Sequence, residues 1–307
     1  MNDFLAIADH SGDELRGLLE RAAALKKEFK AGGNKPILQG KSLAMVFQKP
    51  SLRTRVSFEM GMEHLGGHAI YIGPQEIGLG QRESIADVAR VLAGYVDGIM
   101  ARVFDHQHVL DLAQWSDVPV INGLSDYNHP CQALCDALTI QEHVDTSQGA
   151  RVAYVGDSNN VAVSLMHICS KLGWDFVIAN PEGYAMPKAA VEAGQAMAKE
   201  SGSSIGLLTD PAEAVDGAEV IYTDTWTSMG QEEEAKKRAA AFPPYQVNAA
   251  LVAKAKPTAI VMHCLPAHRG QEITDEIADG PQSALIPQAH NRLHGQKAIL
   301  AELLSDL

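Results

Sequence analysis

The feature that most constrains this chain is a repeated switch of hydrophobic period. Apolar runs of strand length alternate with stretches in which apolar residues recur every three to four positions. That alternation predicts parallel sheets made of βαβ units, because parallel neighbours need a long crossover and a helix supplies it. After an amphipathic helix over about Ser11 to Lys30, a first series places strands near Leu43 to Phe47, Ala69 to Ile72, Gly98 to Ala101 and Pro119 to Ile121. Helices near Thr54 to Leu65, Ser84 to Tyr95 and Gln107 to Trp115 separate them. A second series opens with a strand at Arg151 to Val155, the turn Gly156 to Asn160, a helix to about Leu172 stopped by Gly173, and a strand at Asp175 to Ile178. Further strands are expected at Glu219 to Tyr222 and Ala259 to His263. His129 to His143 reads as a helix bridging the series, and His290 to Leu304 as a closing helix long enough to pack across both. The expected fold class is α/β: two parallel-sheet αβα domains linked by two interdomain helices, for which 307 residues suffice.

Charge narrows the partners. Lys and Arg total 25 against 38 Asp and Glu, a formal charge of -13 that opposes binding to nucleic acid or an anionic membrane. An anionic ligand therefore needs locally placed cations. No run of about 18 apolar residues occurs, and Met1 to Lys30 lacks a basic start and an apolar signal core, so a cytoplasmic location is expected. The cysteines, Cys131, Cys135, Cys169 and Cys264, form no CxxC pair, which argues for reduced thiols. Only Cys264 stands among residues that suggest chemistry.

Open parallel sheets bind ligands where loops leave the carboxyl ends of strands. Lys49-Pro50-Ser51-Leu52-Arg53-Thr54-Arg55 follows a strand and opens a helix, gathering hydroxyls, free N–H groups and a positive helix end into a phosphate site. A capped helix with solvated arginines is the plainer alternative. Arg102 also follows a strand. His129-Pro130-Cys131-Gln132 begins a helix, with Pro in its first turn and Gln132 on the face of His129. Asp224 to Gly230 offers an acid that suits an ammonium group, and His263 to Gly270 a thiol beside histidines. A metal held by His263, Cys264 and His268 would be isolated from any second ligand pair, so no metal is expected. The Gly156 to Asn160 turn lacks a full GxGxxG, which argues against a nicotinamide cofactor.

Together these segments resemble the aspartate/ornithine carbamoyltransferase family over nearly the whole chain, and its ornithine branch in particular. The resemblance implies transfer of the carbamoyl group of carbamoyl phosphate to the δ-amine of L-ornithine, with no cofactor. It implies a carbamoyl phosphate-binding domain over residues 1–130, completed by a C-terminal helix over 290–307, and an ornithine-binding domain over 131–289. It assigns carbamoyl phosphate to Ser51, Leu52, Arg53, Thr54, Arg102, His129, Gln132, Cys264, Leu265 and Arg292. It assigns ornithine to Asn160, Asp224, Ser228, Met229 and Cys264, and catalysis to Arg53, Arg102, His129 and Cys264. The implied assembly is a homotrimer or a multiple of trimers. His263-Cys264-Leu265-Pro266 separates the ornithine branch from aspartate enzymes, which carry Pro-Leu-Pro after the histidine. A carbamoyltransferase for acetylornithine or putrescine, and a silent regulatory relative, are the rival readings. One position departs from the family: Gly78 stands where many relatives have glutamine in a loop that reaches a neighbouring subunit, leaving Gln81 or Arg82 to replace it.

Overall fold

Residues 1–227 and 232–305 are described by a computed structural model. The chain divides into two compact units, Met1–Leu138 with His290–Leu307, and Thr139–Ala289. It passes between them within the Pro130–His143 helix and again near the start of the Leu285–Leu304 helix.

In the first unit, β1 (Ser42–Phe47), β2 (His68–Ile72), β3 (Gly98–Arg102) and β4 (Val120–Leu124) form a parallel sheet in the order β2-β1-β3-β4. The inner strands β1 and β3 are buried almost throughout, as continuous apolar runs require when helices cover both faces. The chain adds β2 on one side of β1 and β3 on the other, so the connections reverse between β1 and β3. Such a switch point is where open parallel sheets bind ligands at their carboxyl ends, and here Phe47 lies in register with Arg102.

The same rule holds in the second unit. Its strands are β5 (Arg151–Val155), β6 (Asp175–Ala179), β7 (Ile205–Leu208), β8 (Val220–Thr223) and β9 (Ile260–His263), all parallel in the order β7-β6-β5-β8-β9. Connections reverse between β5 and β8, placing the turn after β5 beside the loop after β8.

Local sequence explains the main helices. Gly12–Lys30 starts at Ser11, whose hydroxyl accepts the Glu14 N–H while Glu14 accepts the Ser11 N–H, and it buries Leu15, Leu18, Leu19, Ala22 and Leu25 at helical spacing. Several elements lie outside the expected ones, among them Pro211–Val215 and Ala235–Ala241. The Lys188–Ser201 helix leads to β7, an edge strand on which Leu207 is exposed and the other residues are only half-buried, so its short apolar run is not a buried one. The closing helix also begins at Leu285, earlier than expected, because Pro287 falls in its first turn, where no intrahelical donor is needed.

That helix packs closely within the first unit. A Cβ built on Gly295 would lie 2.5 Å from Cys135 Sγ and 3.6 Å from its Cα. Gly295→Ala is therefore expected to lower stability by about 1–3 kcal/mol through overpacking. Urea denaturation followed by circular dichroism measures it, and a change under about 0.5 kcal/mol would show that the approach relaxes freely.

Candidate active site

The first unit gathers its cations at the switch point. Ser51 caps the Leu52–His64 helix: its hydroxyl accepts the Thr54 N–H at 3.4 Å and donates to Thr54 Oγ1 at 3.1 Å. Two guanidinium groups aim at that same oxygen, Arg102 Nη1 at 3.4 Å and Arg292 Nη2 at 3.4 Å. Three donors on one hydroxyl exceed what its lone pairs accept, so the site holds surplus donor capacity. Arg292 Nη1 donates to Gln132 Oε1 at 2.7 Å, and Gln132 Nε2 donates to Asp136 Oδ1 at 2.8 Å, one turn further along the helix. Asp136 thereby fixes which end of the Gln132 amide meets the arginine.

Burial makes this charge costly. Lys49, Arg102, His129 and Arg292 are all buried. Burial, then the charges of Arg292, Arg102 and Lys49, hold the His129 imidazole well below its ordinary range, so it is neutral near pH 7. Burial and then Arg102 lower Lys49 to about 8, with Asp126 opposing. Lys49 and His129 are depressed because they sit in the positive potential of the arginines, and an oxyanion relieves it. The first-turn N–H groups of the Leu52–His64 helix add to that potential.

In the second unit, Asp224 and Cys264 follow β8 and β9, whose ends Thr223 and His263 are in register. The Asp224 carboxylate is buried, and its Oδ1 accepts the Thr225 N–H at 2.8 Å and the Cys264 thiol at 3.0 Å. Its Oδ2 accepts Asn159 Nδ2 at 2.7 Å. Leu265 takes a left-handed φ of 59°, a conformation costing about 1–3 kcal/mol for a non-glycine residue. Its N–H donates to His263 Nδ1 at 2.9 Å, so the ring proton sits on Nε2 and donates to buried Glu272 Oε1 at 3.0 Å.

Asp224, His263 and Cys264 have potential ligand atoms within 4.8 Å of one another. Both His263 nitrogens are already bonded, and a metal would have to break the contact that holds Leu265. His268 is not part of this group; its Nδ1 meets Thr225 Oγ1 at 3.0 Å.

Two family models match: "Aspartate/ornithine carbamoyltransferase, carbamoyl-P binding domain" over residues 2–142 and "Aspartate/ornithine carbamoyltransferase, Asp/Orn binding domain" over 148–303. The chain belongs to the aspartate/ornithine carbamoyltransferase family. It is 55% identical over 302 residues to the ornithine carbamoyltransferase of Pyrococcus abyssi, covering 98% of this chain and 95% of that one. It is 54% identical over 305 residues to the anabolic ornithine carbamoyltransferase of Pyrococcus furiosus, covering 99% and 97%. A solved Pyrococcus furiosus ornithine carbamoyltransferase superposes with a TM-score of 0.97 at 54% identity, over 100% of this chain and 98% of that one.

Measured against the carbamoyltransferase motifs, the structure joins Ser51, Thr54, Arg102, Gln132 and Arg292 into one hydrogen-bonded set, with His129 in the same field. Leu52 and Arg53 open the helix, Leu52 largely exposed and Arg53 half-buried. Arg55 instead faces outward, 3.3 Å from Glu59 and 4.1 Å from the centroid of the Tyr71 ring. Asp224 and Cys264 are in contact, Leu265 follows directly, and Asn160 begins the Asn160–Leu172 helix. Ser228 and Met229 lie outside the described residues. Gly78 has a left-handed φ of 49°, and a Cβ there would meet Arg82 Cβ at 2.8 Å, which accounts for the missing glutamine side chain. Gln81 and Arg82 are exposed.

Lys49 stood in the phosphate-site segment without a role of its own, and Asp136 and Asn159 were not singled out. Lys49 was visible as a cation directly after a strand, and Asp136 as an acid four residues beyond Gln132. Asn159 was visible as the capping residue before an apolar helix.

Because free Lys49 titrates near 8, an anion that restores its charge must draw in a proton. Inorganic phosphate binding at about pH 8 to 9 is expected to take up protons and to weaken as pH rises through that range. Calorimetry in buffers of different ionisation enthalpy measures the uptake. Lys49→Met should abolish it, and unchanged uptake in that variant would assign the proton elsewhere.

Proposed function

We propose that this protein is an ornithine carbamoyltransferase, forming L-citrulline and phosphate from carbamoyl phosphate and L-ornithine and serving arginine biosynthesis. In this reading Ser51, Thr54, Arg53, Arg102 and the Leu52 N–H hold the phosphate. Neutral His129, Gln132 and Arg292 hold the carbonyl and amide, with Cys264 and Leu265 completing the contacts. His129 donates a hydrogen bond to the carbonyl oxygen and leaves the carbon electrophilic. Asn160, Asp224, Ser228, Met229 and Cys264 hold ornithine. The neutral δ-amine attacks the carbonyl carbon, the bond to the phosphate oxygen breaks, and the amine's surplus proton passes to Asp224 or the departing phosphate. Donors placed at a developing oxyanion are worth about 2.7–4 kcal/mol each, and fixing both substrates supplies roughly 7–11 kcal/mol. No covalent intermediate is needed for this displacement.

The observation that carries the acceptor assignment is the contact of buried Asp224 with Cys264. A carboxylate there attracts a cationic amine and can take its proton, whereas it would repel the second carboxylate of aspartate. Product analysis with carbamoyl phosphate and ornithine, aspartate, acetylornithine or putrescine in turn tests the reading. Citrulline from ornithine alone is expected; product from another acceptor, or none, would overturn it. In the same assay Cys264→Ser should lower turnover and raise the ornithine KM, leaving carbamoyl phosphate affinity within about threefold, or ~0.7 kcal/mol.

The same reading places the protein in the cytoplasm as a homotrimer or multiple of trimers. Supporting self-association, Leu52, Val56 and Met60 form an exposed apolar stripe at helical spacing, and edge strand β2 exposes Ile70. Whether Gln81 or Arg82 reaches the neighbouring subunit belongs to the same proposal. No disulfide joins Cys131, Cys135, Cys169 and Cys264, which suits a reducing compartment, and among the described residues no helix is long and apolar enough to cross a membrane.

A further inference from the structure

We propose that Asn159 is a positioning residue for the Asp224 carboxylate, which meets the acceptor: one side-chain amide caps the Asn160–Leu172 helix through its oxygen and orients Asp224 through its nitrogen. The inference rests on the ornithine reading, in which Asp224 meets the acceptor amine.

The amide's orientation is settled by its oxygen. Asn159 Oδ1 accepts the N–H groups of Val161 at 3.0 Å and Ala162 at 3.1 Å, and the hydroxyl of Tyr154 at 3.3 Å. An NH2 group cannot face three donors, so Nδ2 must point the other way, where it meets Asp224 Oδ2 at 2.7 Å. The oxygen side is rigid because the helix N-terminus and the buried Tyr154, stacked on Tyr222 at 5.6 Å, do not shift independently. Asp224 is thus held from two sides, by Asn159 on Oδ2 and by the Thr225 N–H on Oδ1. That leaves Oδ1 directed at Cys264 Sγ, 3.0 Å away. A carboxylate so held is positioned to meet an ammonium group or take its proton. The helix cap alone would not demand asparagine, since serine or aspartate serves that role.

The test uses the full-length chain and two variants that both keep a capping oxygen. Asn159→Ser removes the donor to Asp224, and Asn159→Asp replaces it with a second carboxylate. Asn159→Ser should melt close to the wild type, and Asn159→Asp somewhat lower because its two carboxylates repel. For Asn159→Ser, kcat/KM for ornithine should fall about tenfold or more, with the carbamoyl phosphate KM within about twofold. The acid limb of its kcat/KM profile should move to higher pH, and that of Asn159→Asp should move further, because like charges cannot both ionise at such range. An unmoved acid limb in either variant, or equal losses for both substrates together with lowered melting temperatures, would overturn the proposal and reduce Asn159 to a cap. A wild-type enzyme that makes no citrulline would overturn the ornithine reading and this inference with it. An active wild type with unchanged Asn159→Ser kinetics overturns this inference alone.

Discussion

The first unit depends on a positive charge that its fold draws out of water. Arg102 and Arg292 are buried and directed at one threonine hydroxyl, with Lys49 and His129 in their field. Like charges brought out of water lose hydration and repel one another, so they persist only where rigid elements fix them. Here the end of β3, the cap at Ser51 and the close-packed Leu285–Leu304 helix do the fixing. The consequences are chemical. His129 stays neutral and can donate without carrying charge, and Lys49, lowered to about 8, can take up a proton with an anion only once the pH reaches that range.

The second unit carries the opposite sign. Asp224 is held by Asn159, Thr225 and Cys264, and Leu265 is kept in an unfavourable backbone conformation by His263, which Glu272 holds in one tautomer. One unit suits an anionic donor and the other a cationic acceptor. Both sites lie where sheet connections reverse, and this explains how loops remote in sequence supply each set.

Much of this was legible in the sequence because it rests on local rules. Strand–helix alternation predicted parallel sheets, and Ser51 ahead of Leu52-Arg53-Thr54 marked a helix start able to hold phosphate. What escaped depended on tertiary context. β7 lacks a buried run because it is an edge strand. Arg53 and Arg55 are equivalent as letters, yet Arg55 is spent on Glu59 and Tyr71 at the surface. Asn159 and Asn160 are adjacent, and only the helix start shows that Asn159 is the one whose amide reaches Asp224. Asp136 acts through Gln132, a contact that i,i+4 spacing allows but does not require.

The most direct test of the buried-cation account is a calorimetric titration of phosphonoacetamide, a stable analogue of carbamoyl phosphate, into the wild type and Arg292→Gln. The hydrogen-bond partners of Arg292, Gln132 and Thr54, are neutral, so removing its charge strands no carboxylate and relieves repulsion within the cluster. The account predicts analogue binding at least about tenfold weaker in the variant, equivalent to ~1.4 kcal/mol or more, with the ligand-free melting temperature preserved or raised. Equal affinity for the two proteins would contradict it.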